Sequence, residues 1–331
     1  MAGQYRSRVA GIGSYLPEKV LSNGDLEKMV ETNNQWIIER TGIERRHMAA
    51  PDQATSDLCV EAARLALKDA NLTPNDIDMI ICGTVTGDYQ MPSTACYIQS
   101  KLGCRNIMAF DLNAACSGFV YGMGIADQFI RTGVYKNILV LGGEVLSRFV
   151  NYKDRETCIL FGDGAGAWIL SRAEAGDKNV IESTHLHADG DLADLLLLPG
   201  GGSKNPQSAA VLEANQQYVH MKGREIFKNA VRTMALCCKE ALEANNVKPE
   251  DVDWVIPHQA NKRIIEAVAD QFKFPMERVI VYLHETGNTS SASIPLAFDY
   301  AVQTGKIKRG QTILLTAFGA GLTSGSVLLR Y

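Results

Sequence analysis

The feature that most constrains the fold of this chain is an internal repeat. The segment ALKDANLTPNDIDMIICG, residues 66–83, recurs as ALEANNVKPEDVDWVIPH, residues 241–258. Asp76 and Asp251 are 175 positions apart, and the same interval separates Ile138 from Ile313 in two later apolar segments. Because one interval relates two separate pairs of segments, the repeat indicates two homologous halves. We place these halves at residues 1–174 and 175–331.

Each half alternates apolar strands with amphipathic helices, a pattern that is typical of mixed sheets covered by helices on both faces. The predicted fold class is therefore α/β. Two segments stand outside the repeat, a capped helical segment at 21–47 and a glycine-rich flap at 189–218. The predicted strands are 9–14, 77–83, 107–112, 138–142 and 167–170 in the first half, and 180–187, 254–257, 279–283, 312–316 and 326–330 in the second.

Composition narrows the class of protein further. Of the 331 residues, 46% are hydrophobic and 21% are charged, which is typical of a globular domain. The net charge of −4 gives no general attraction to nucleic acid or to an anionic membrane. The eight cysteines lack metal-binding spacing, so we expect free thiols and no metal site. No apolar run is long enough to span a bilayer or to act as a signal peptide, so the expected location is cytoplasmic.

Small residues surround Cys116 in the stretch DLNAACSGF, between a predicted strand and a predicted helix. They allow a sharp turn that presents the sulfur at the start of the helix. The helix dipole favours negative charge there, so the sequence predicts a lowered pKa for Cys116 and a nucleophilic thiolate. The alternative is a small buried thiol that packs as a hydrophobic residue.

Two partners for this thiol are expected from the second half. His258 follows a predicted strand, at the carboxyl end where sites of parallel sheets collect. Asn288 lies in a Gly-Asn-Thr turn, in the same region of its half as Cys116 in the first. If the halves are related by a twofold axis, Cys116, His258 and Asn288 converge at their interface. The alternatives are a structural histidine and an asparagine that serves only the turn.

The motifs DLNAACSGF, VIPHQANKRI, HETGNTSSASIP, FGDGAGA and FGAGLTSGS together resemble those of the β-ketoacyl-[acyl carrier protein] synthase III family of the thiolase superfamily. The resemblance runs from about Val9 to Tyr331. It implies a five-layer αβαβα thiolase fold and a homodimer. It also implies an acyltransferase that starts type II fatty acid synthesis without a cofactor: an acyl group passes from acyl-CoA to a cysteine and condenses with malonyl-acyl carrier protein (ACP), with loss of CO2.

The same resemblance implies roles for individual residues. Cys116 is the acylated nucleophile, and His258 and Asn288 hold the malonyl thioester oxygen. Phe318, Gly319 and Ala320 support an oxyanion site and decarboxylation, although the family commonly has glycine in place of Ala320. The positions implied for CoA are Thr32, Trp36, Arg40, Arg155, Gly223, Phe227, Ala260 and Asn261. Those implied for the carrier protein are Lys228, Gln259, Ala260, Asn261, Lys262 and Arg263.

Met91 stands where some members of the family have a phenylalanine that closes the acyl pocket of the partner subunit. Because methionine is unbranched and adaptable, we expect primers longer than acetyl to fit. Asp270 and Gln271 occupy positions at which some members carry two lysines, so the carrier interface is expected to be weaker or shifted.

Three other functions are alternatives to this condensing enzyme. A dinucleotide-binding oxidoreductase is disfavoured, because Gly11-Ile-Gly13 is followed by Leu16 where a third glycine belongs. A condensing enzyme of secondary metabolism, of the quinolone or polyketide-starter type, would share the same catalytic residues. A noncatalytic CoA-binding or acyl-carrier-binding module with this fold is disfavoured by the intact Cys116, His258 and Asn288.

Overall fold

Two mixed sheets form the framework of the protein, for which a computed structural model describes residues 5–331. The strands are β1 (Ser7–Tyr15), β2 (Lys19–Ser22), β3 (Arg45–Met48), β4 (Met79–Gly83), β5 (Met108–Leu112), β6 (Asn137–Val145), β7 (Asp163–Arg172), β8 (Ile181–Ala188), β9 (Leu196–Leu197), β10 (His220–Met221), β11 (Trp254–Pro257), β12 (Thr312–Gly319) and β13 (Thr323–Arg330). The first sheet has the strand order β1-β7-β6-β4-β5, and the second has the order β11-β12-β13-β8. The pairs β2-β3 and β9-β10 form separate two-stranded sheets.

The two sheets repeat one topology. In the first, β4 is parallel to β6, and β7 is antiparallel to both β6 and β1. In the second, β11 is parallel to β12, and β13 is antiparallel to both β12 and β8. Each sheet is built from one side of the proposed boundary at residues 174 and 175, which itself stays a prediction.

Helices complete five layers. Helices α3 and α4 cover the outer face of the first sheet, α7 and α8 cover that of the second, and α5 and α10 lie between the sheets. The predicted αβαβα arrangement is thus observed. The helices are α1 (Asn23–Leu26), α2 (Asn34–Thr41), α3 (Thr55–Asp69), α4 (Thr94–Leu102), α5 (Gly118–Arg131), α6 (Ala209–Glu213), α7 (Gly223–Asn245), α8 (Lys262–Gln271), α9 (Leu283–Thr286) and α10 (Ser293–Gln303).

The central layer accounts for the small and apolar character of its two helices. Apolar side chains of α5 and α10 pack with the inner faces of both sheets in one buried cluster. Glycine permits the closest approaches: a Cβ on Gly122 of α5 would lie 3.0 Å from Val140 of β6. This packing fixes the starts of both helices between the sheets, and Cys116 immediately precedes α5.

The predicted strand 279–283 is wrong. Only Val279 forms an isolated parallel bridge, with Val255 of β11, and α9 begins at Leu283. Ile280 N also donates to Val255 O of β11 (3.0 Å), but beyond it the side chain of Gln259 donates to Ile280 O (3.2 Å) and accepts from Tyr282 N (2.8 Å), so no further ladder forms. The other nine predicted strands each overlap an observed strand.

The two segments outside the repeat, 21–47 and 189–218, both contain short helices and strands. Within residues 19–48, β2 and β3 pair as antiparallel strands, and α1 and α2 lie between them in the sequence. The flap contains a 3-10 helix (Gly190–Leu195), the short strand β9 and α6. Within residues 5–331, none of the helices combines the length and apolar character needed to cross a bilayer.

Candidate active site

Cys116 lies in a 3-10 turn, Ala115–Ser117, between β5 and α5. Ala115 has a positive φ of 45°, so the chain turns sharply there despite the side chain. The turn is held by the second half, because Ser117 Oγ donates to Thr323 O (3.2 Å) and Thr323 Oγ1 donates to Ala114 O (2.8 Å). The first residue of β13 therefore fixes the position of the turn that carries the thiol.

The predicted lowering of the Cys116 pKa is wrong. Cys116 is only 9% exposed, and burial raises the pKa of its thiol to about 12. A hydrogen bond with Ser290 opposes this shift, whereas the nearby charge of Glu144 adds to it. Loss of hydration is the largest cause of this shift, which favours the neutral thiol over the thiolate.

His258 immediately follows β11, and its backbone N–H donates to Thr316 O of the neighbouring strand (2.8 Å). Burial lowers the pKa of the imidazole to about 3, so the ring is neutral near pH 7. Its Nδ1 lies 2.7 Å from Ser293 Oγ, which also accepts from Gln259 N (3.3 Å). We assign the Ser293 proton to the bond with Nδ1, which leaves Nε2 of His258 as an N–H donor.

Asn288 is held through both its backbone and its side chain. Its N–H donates to Leu160 O (2.8 Å), and its carbonyl accepts from Gly162 N (3.1 Å). Its side-chain Oδ1 accepts from Ser290 N (2.8 Å). Because the carboxamide oxygen is engaged in this way, the group that Asn288 can offer to a ligand is the Nδ2 amide.

One cavity of about 700 Å³ brings Cys116, His258 and Asn288 together. The first half supplies the thiol and the second half supplies both N–H donors, as the repeat predicted. Apolar side chains form much of the wall. These residues include Ile159, Leu160, Phe161, Leu196, Met221, Ile226, Ala230, Met234 and Ile264.

The end of β12 closes the cavity beside the thiol. Phe318 and Gly319 line the cavity. A Cβ added to Gly319 would lie 2.7 Å from Cys116 N, so the backbone of β12 approaches the nucleophile as closely as glycine allows. Ala320 lies outside this lining, and its carbonyl accepts from Thr323 Oγ1 (3.1 Å).

The residues predicted to bind CoA gather at the outer part of the cavity. Arg40 and Arg155 place their guanidinium carbons 4.8 and 4.9 Å from the ring centre of Trp36. Thr32 is outside the lining, and its buried Oγ1 has no hydrogen-bond partner among residues 5–331. The members of the predicted set that line the cavity are Trp36, Arg40, Gly223, Phe227, Ala260 and Asn261.

Most residues predicted to contact a carrier protein are on the surface, with one exception. Lys228, Lys262 and Arg263 are exposed, and Arg263 lies 5.9 Å above the ring of Phe227. Gln259 is only 1% exposed, and its side chain serves the backbone contacts described above. The prediction that Gln259 contacts a carrier protein is therefore wrong. Met91 is 83% exposed and does not line the cavity of its own chain.

The sequence analysis missed the residues that orient the side chains of His258 and Asn288. Ser293 Oγ contacts Nδ1 of His258, and the backbone N–H of Ser290 donates to Asn288 Oδ1. The buried Glu144 lies nearby, with Oε1 3.1 Å from Ser291 Oγ. The repeat contained a signal for this region, because Cys116 and Ser291 are separated by the same 175 positions. Across residues 5–331, no three His, Cys, Asp or Glu side chains are grouped closely enough to hold a metal ion.

A five-layer thiolase fold with a cysteine, a histidine and an asparagine in one cavity between duplicated halves defines the class of thiolase-fold condensing enzymes. Two family models match the chain, "3-Oxoacyl-[acyl-carrier-protein (ACP)] synthase III" over residues 110–190 and its C-terminal counterpart over residues 242–331. The chain belongs to the β-ketoacyl-[acyl-carrier-protein] synthase III family.

Individual relatives agree with this assignment. A β-ketoacyl-[acyl-carrier-protein] synthase III of Caldanaerobacter subterraneus is 50% identical over 100% of this chain and 99% of the relative. The crystal structure of the Aquifex aeolicus 3-oxoacyl-[acyl-carrier-protein] synthase III is 48% identical, with a TM-score of 0.91 over 98% of this chain and all of that chain. The priming β-ketosynthase of the R1128 polyketide pathway is 33% identical, with a TM-score of 0.90 over 100% of this chain and 97% of its own.

These similarities confirm the predicted family, the thiolase fold and the acyltransferase class. The predicted function, the initiating condensation of fatty acid synthesis, is confirmed at the level of the family. The roles of individual residues do not follow from the similarities and rest on the geometry.

Proposed function

We propose that Cys116 takes an acyl group from acyl-CoA, and that the acyl enzyme condenses with malonyl-ACP to give 3-oxoacyl-ACP, CoA and CO2. The observation that carries this proposal is the shared cavity, in which a cysteine thiol faces two side chains oriented as neutral N–H donors. A nucleophile alone fits many transferases. The paired donors are specific to chemistry in which negative charge develops on an oxygen.

In the first half-reaction the Cys116 sulfur attacks the thioester carbon of acyl-CoA. A carbon–sulfur bond forms to Cys116, the bond to the CoA sulfur breaks, and the thiol proton ends on the CoA sulfur. The oxygen of the tetrahedral intermediate lies near the Cys116 backbone N–H and the turn that begins at Gly319, where β12 approaches within the limit set by glycine. Because the resting thiol is neutral, proton loss accompanies the arrival of the thioester.

In the second half-reaction the malonyl group loses CO2 and becomes an enolate. Its oxygen accepts hydrogen bonds from Nε2 of His258 and Nδ2 of Asn288, which the serine contacts hold in the donor orientation. The enolate carbon attacks the acyl carbon on Cys116, and the sulfur leaves and regains a proton. Phe318, which is buried beside the site, presents an apolar face that disfavours hydration of the malonyl carboxylate.

The outer part of the cavity suits the nucleotide end of CoA. Trp36 offers a ring for stacking on adenine, and Arg40 and Arg155 offer positive charge for phosphates. Gly223, Phe227, Ala260 and Asn261 border the path from this mouth to the thiol. We also assign Thr32, which precedes Trp36 by four residues, to the proposed CoA site.

Carrier docking is proposed for the exposed basic residues Lys228, Lys262 and Arg263, because a carrier protein of this pathway is acidic. Ala260 and Asn261 border the same rim of the cavity. Asn261 also caps α8 and donates to Arg40 O (3.0 Å), so it joins the carrier surface to the CoA mouth.

A homodimer is proposed on two features of the chain. β5 is the terminal strand of the first sheet, and a second copy can extend the sheet at that edge. Met91 is largely exposed in one chain, which suits a side chain that reaches into a partner subunit. The proposal includes a cytoplasmic location. It also includes independence from cofactors, because thioester exchange and decarboxylation use only the substrates and the residues above.

A second candidate is priming of a polyketide or quinolone pathway, favoured by the similarity to the R1128 priming β-ketosynthase. Only the choice of acyl group distinguishes the two functions. Turnover with acetyl-, butyryl- and octanoyl-CoA tests the expectation that Met91 admits longer primers. A strict preference for acetyl-CoA would contradict that expectation, and Met91→Phe provides the matched variant.

Intact-protein mass spectrometry after incubation with these acyl-CoAs tests the proposed function. We expect one acyl adduct per subunit, mapped to Cys116 and absent from Cys116→Ala. Cys96→Ala removes an exposed cysteine and should keep the adduct. An adduct on another cysteine, or acylation that persists in Cys116→Ala, would refute the assignment.

A further inference from the structure

A buried arginine contacts one wall of the cavity, and neither half-reaction described above uses it. Arg46, in β3, has no exposed surface. Burial lowers the pKa of its guanidinium to about 10, so the group keeps its positive charge near pH 7. Taking a charge out of water is costly unless hydrogen bonds replace its hydration. The contacts of Arg46 therefore indicate which parts of the protein depend on it.

The guanidinium of Arg46 joins two segments that are distant in the sequence. Nη1 donates to Leu21 O (3.2 Å) and to Asn23 Oδ1 (2.9 Å), in the part of the chain that forms β2 and α1. Nη2 donates to Ile159 O (2.8 Å), in the segment that lines the cavity. All three acceptors are neutral oxygens, and Nε has no hydrogen-bond partner within residues 5–331. Each terminal nitrogen thus bonds a different segment.

The segment reached by Nη2 also holds the backbone of Asn288. Leu160 O, one residue after the carbonyl that Arg46 bonds, accepts from Asn288 N (2.8 Å). Gly162 N donates to Asn288 O (3.1 Å), and between these two bonds Phe161 forms a parallel bridge with Asn288. This short paired segment therefore connects the guanidinium of Arg46 to the residue that supplies the Nδ2 donor.

The stem of Arg46 packs against both backbone segments of this contact. A Cβ added to Gly162 would lie 3.0 Å from Arg46 Cβ, and one added to Gly287 would lie 3.1 Å from it. Gly287 precedes Asn288 and has a φ of 64°, a conformation that favours glycine. Because neither glycine has a side chain, the two segments can close on the arginine, and this leaves its nitrogens little freedom to shift relative to Asn288.

The strand that carries Arg46 also approaches Asn288 from a second direction. Glu44, immediately before β3, donates its backbone N–H to His284 O of α9 (3.0 Å). α9 ends two residues before Asn288. β3 therefore supports the turn of Asn288 on one side through α9 and on the other through the guanidinium of Arg46.

We propose that Arg46 is a positioning residue for the condensation step, because it holds residues 159–162 against Asn288 and so keeps the Nδ2 donor aimed at the enolate oxygen. This inference rests on the proposed function, since it concerns one of the two donors of the same site. The thiol lies on a separate turn, which Thr323 of β13 holds. Loss of Arg46 should therefore slow condensation and leave acyl transfer to Cys116 close to its normal rate.

Arg46→Met tests the proposal, because methionine fills the space of the arginine stem and removes all three hydrogen bonds. The adduct on Cys116 is first formed with whichever of acetyl-, butyryl- and octanoyl-CoA acylates the wild type fastest, and it is counted by mass spectrometry. CO2 release from malonyl-ACP is then measured per acylated subunit. We expect this release to fall about tenfold, because a donor that is no longer held in place gives only part of its stabilisation. The rate of acylation should stay close to that of the wild type.

Arg172→Met is the matched control. Arg172 also donates through Nη2 to backbone carbonyls, Gly133 O (3.1 Å) and Tyr135 O (3.3 Å), and its buried Nε likewise has no hydrogen-bond partner within the described residues 5–331. These groups lie outside the cavity lining, so both half-reactions should keep their wild-type rates. The same selective fall in CO2 release in Arg172→Met would overturn the proposal, because it would follow from the loss of any such arginine.

Two other results for Arg46→Met would overturn the proposal. Equal loss of acylation and of CO2 release would indicate a general structural role. A raised KM for acyl-CoA with unchanged CO2 release per adduct would indicate that Arg46 supports only the CoA mouth. A wild-type protein that forms no adduct on Cys116 would instead refute the proposed function, so the two failures are distinguishable.

Arg46→Lys keeps the buried charge and serves as a second variant if Arg46→Met does not fold. One ammonium nitrogen cannot replace two nitrogens that bond different segments, so we expect CO2 release per adduct to be about threefold lower. Wild-type release by Arg46→Lys would contradict the proposal. Hydrogen–deuterium exchange gives a readout besides activity: the amides of Gly162 and Asn288 should exchange faster in the Arg46 variants than in the wild type or Arg172→Met, and unchanged exchange would also contradict it.

Discussion

Ser293 decides which ring nitrogen of His258 carries the proton. Its oxygen accepts from Gln259 N, and its proton engages Nδ1 of the imidazole. Ser290 plays a comparable part for Asn288, since its N–H occupies the carboxamide oxygen. In both cases a hydrogen bond to one side of the residue leaves an N–H donor on the other side. At the scale of the residue, these serine contacts determine what the cavity can stabilise.

Replacing Ser293 by alanine should slow condensation by about tenfold, because the imidazole loses the contact that fixes its tautomer. Acylation of Cys116 should be unaffected. Ser293→Thr, which keeps the hydroxyl, should restore condensation. Release of CO2 from malonyl-ACP and the mass of the acyl adduct measure the two steps separately, and a parallel loss of both would contradict the assigned role.

The lowered pKa of His258 also predicts how stability depends on pH. Above pH 6.5 the imidazole is neutral in both the folded and the unfolded state, whereas between pH 6.5 and about pH 3 only the unfolded state binds the proton. The wild type should therefore lose stability on acidification relative to His258→Asn. Between pH 7 and pH 5 we expect this difference to be about 2 kcal/mol.

Urea unfolding of both proteins at the two pH values measures this difference. His220→Asn replaces an exposed histidine and serves as the control, for which the unfolding free energies should run parallel to those of the wild type. A difference between the wild type and His258→Asn that stays constant from pH 7 to pH 5 would contradict the burial of a neutral imidazole.

Sequence motifs located the three central residues but not their chemical states. Cys116, His258 and Asn288 stand in distinctive motifs at strand ends, so their convergence could be predicted. The raised pKa of Cys116 could not, because it depends mainly on burial in the folded cavity. Gln259 was misplaced on the surface for a similar reason: it is adjacent to exposed residues, yet its side chain bonds backbone groups inside the protein.

At the scale of the element, the approach of β12 to the Cys116 turn is the tightest constraint on the site. A methyl group at Gly319 would meet the backbone nitrogens of Cys116 (2.7 Å) and Ser117 (3.1 Å). Backbone at this distance cannot yield as a flexible side chain can. The strand end and the turn therefore have to be considered as one unit.

Gly319→Ala should displace the thiol and slow acylation by about 100-fold, because a small misplacement of a reacting group is costly. Ala320→Gly changes the neighbouring position, which lies outside the cavity lining, and should acylate at close to the wild-type rate. Stopped reactions analysed by mass spectrometry give both rates. Wild-type acylation by Gly319→Ala would contradict the close approach of β12.

The elements were predictable where hydrophobic pattern and tertiary environment agree. The central strands were predictable because their apolar positions follow the period of the element. Residues 279–283 have the pattern of a strand, but pairing with β11 ends at Ile280, and the side chain of Gln259 bonds the following backbone groups. The short two-stranded sheets β2-β3 and β9-β10 were not predicted, because their pairing depends on residues distant in sequence.

At the scale of the whole molecule, the site forms between two duplicated halves whose equivalent turns carry different residues. The 175-residue interval relates the 3-10 turn that holds Cys116 to the turn Ser290–Ala292, and each turn precedes a central helix. One turn carries the nucleophile, while the other begins at Ser290, whose backbone N–H donates to Asn288 Oδ1. The repeat made this architecture predictable from sequence. It did not reveal the buried Glu144, which lies 3.1 Å from Ser291 Oγ of the second turn.

The release of CO2 from malonyl-ACP by the acylated enzyme tests most directly the claim that the two halves build one condensing site. It should be measured in His258→Ala and Asn288→Ala, with the acyl adduct on Cys116 quantified in the same samples. We predict a full adduct in both variants and CO2 release reduced by about 100-fold in each, as expected for the loss of one oxyanion donor. Release at the wild-type rate in either variant, or absence of the adduct, would contradict the account.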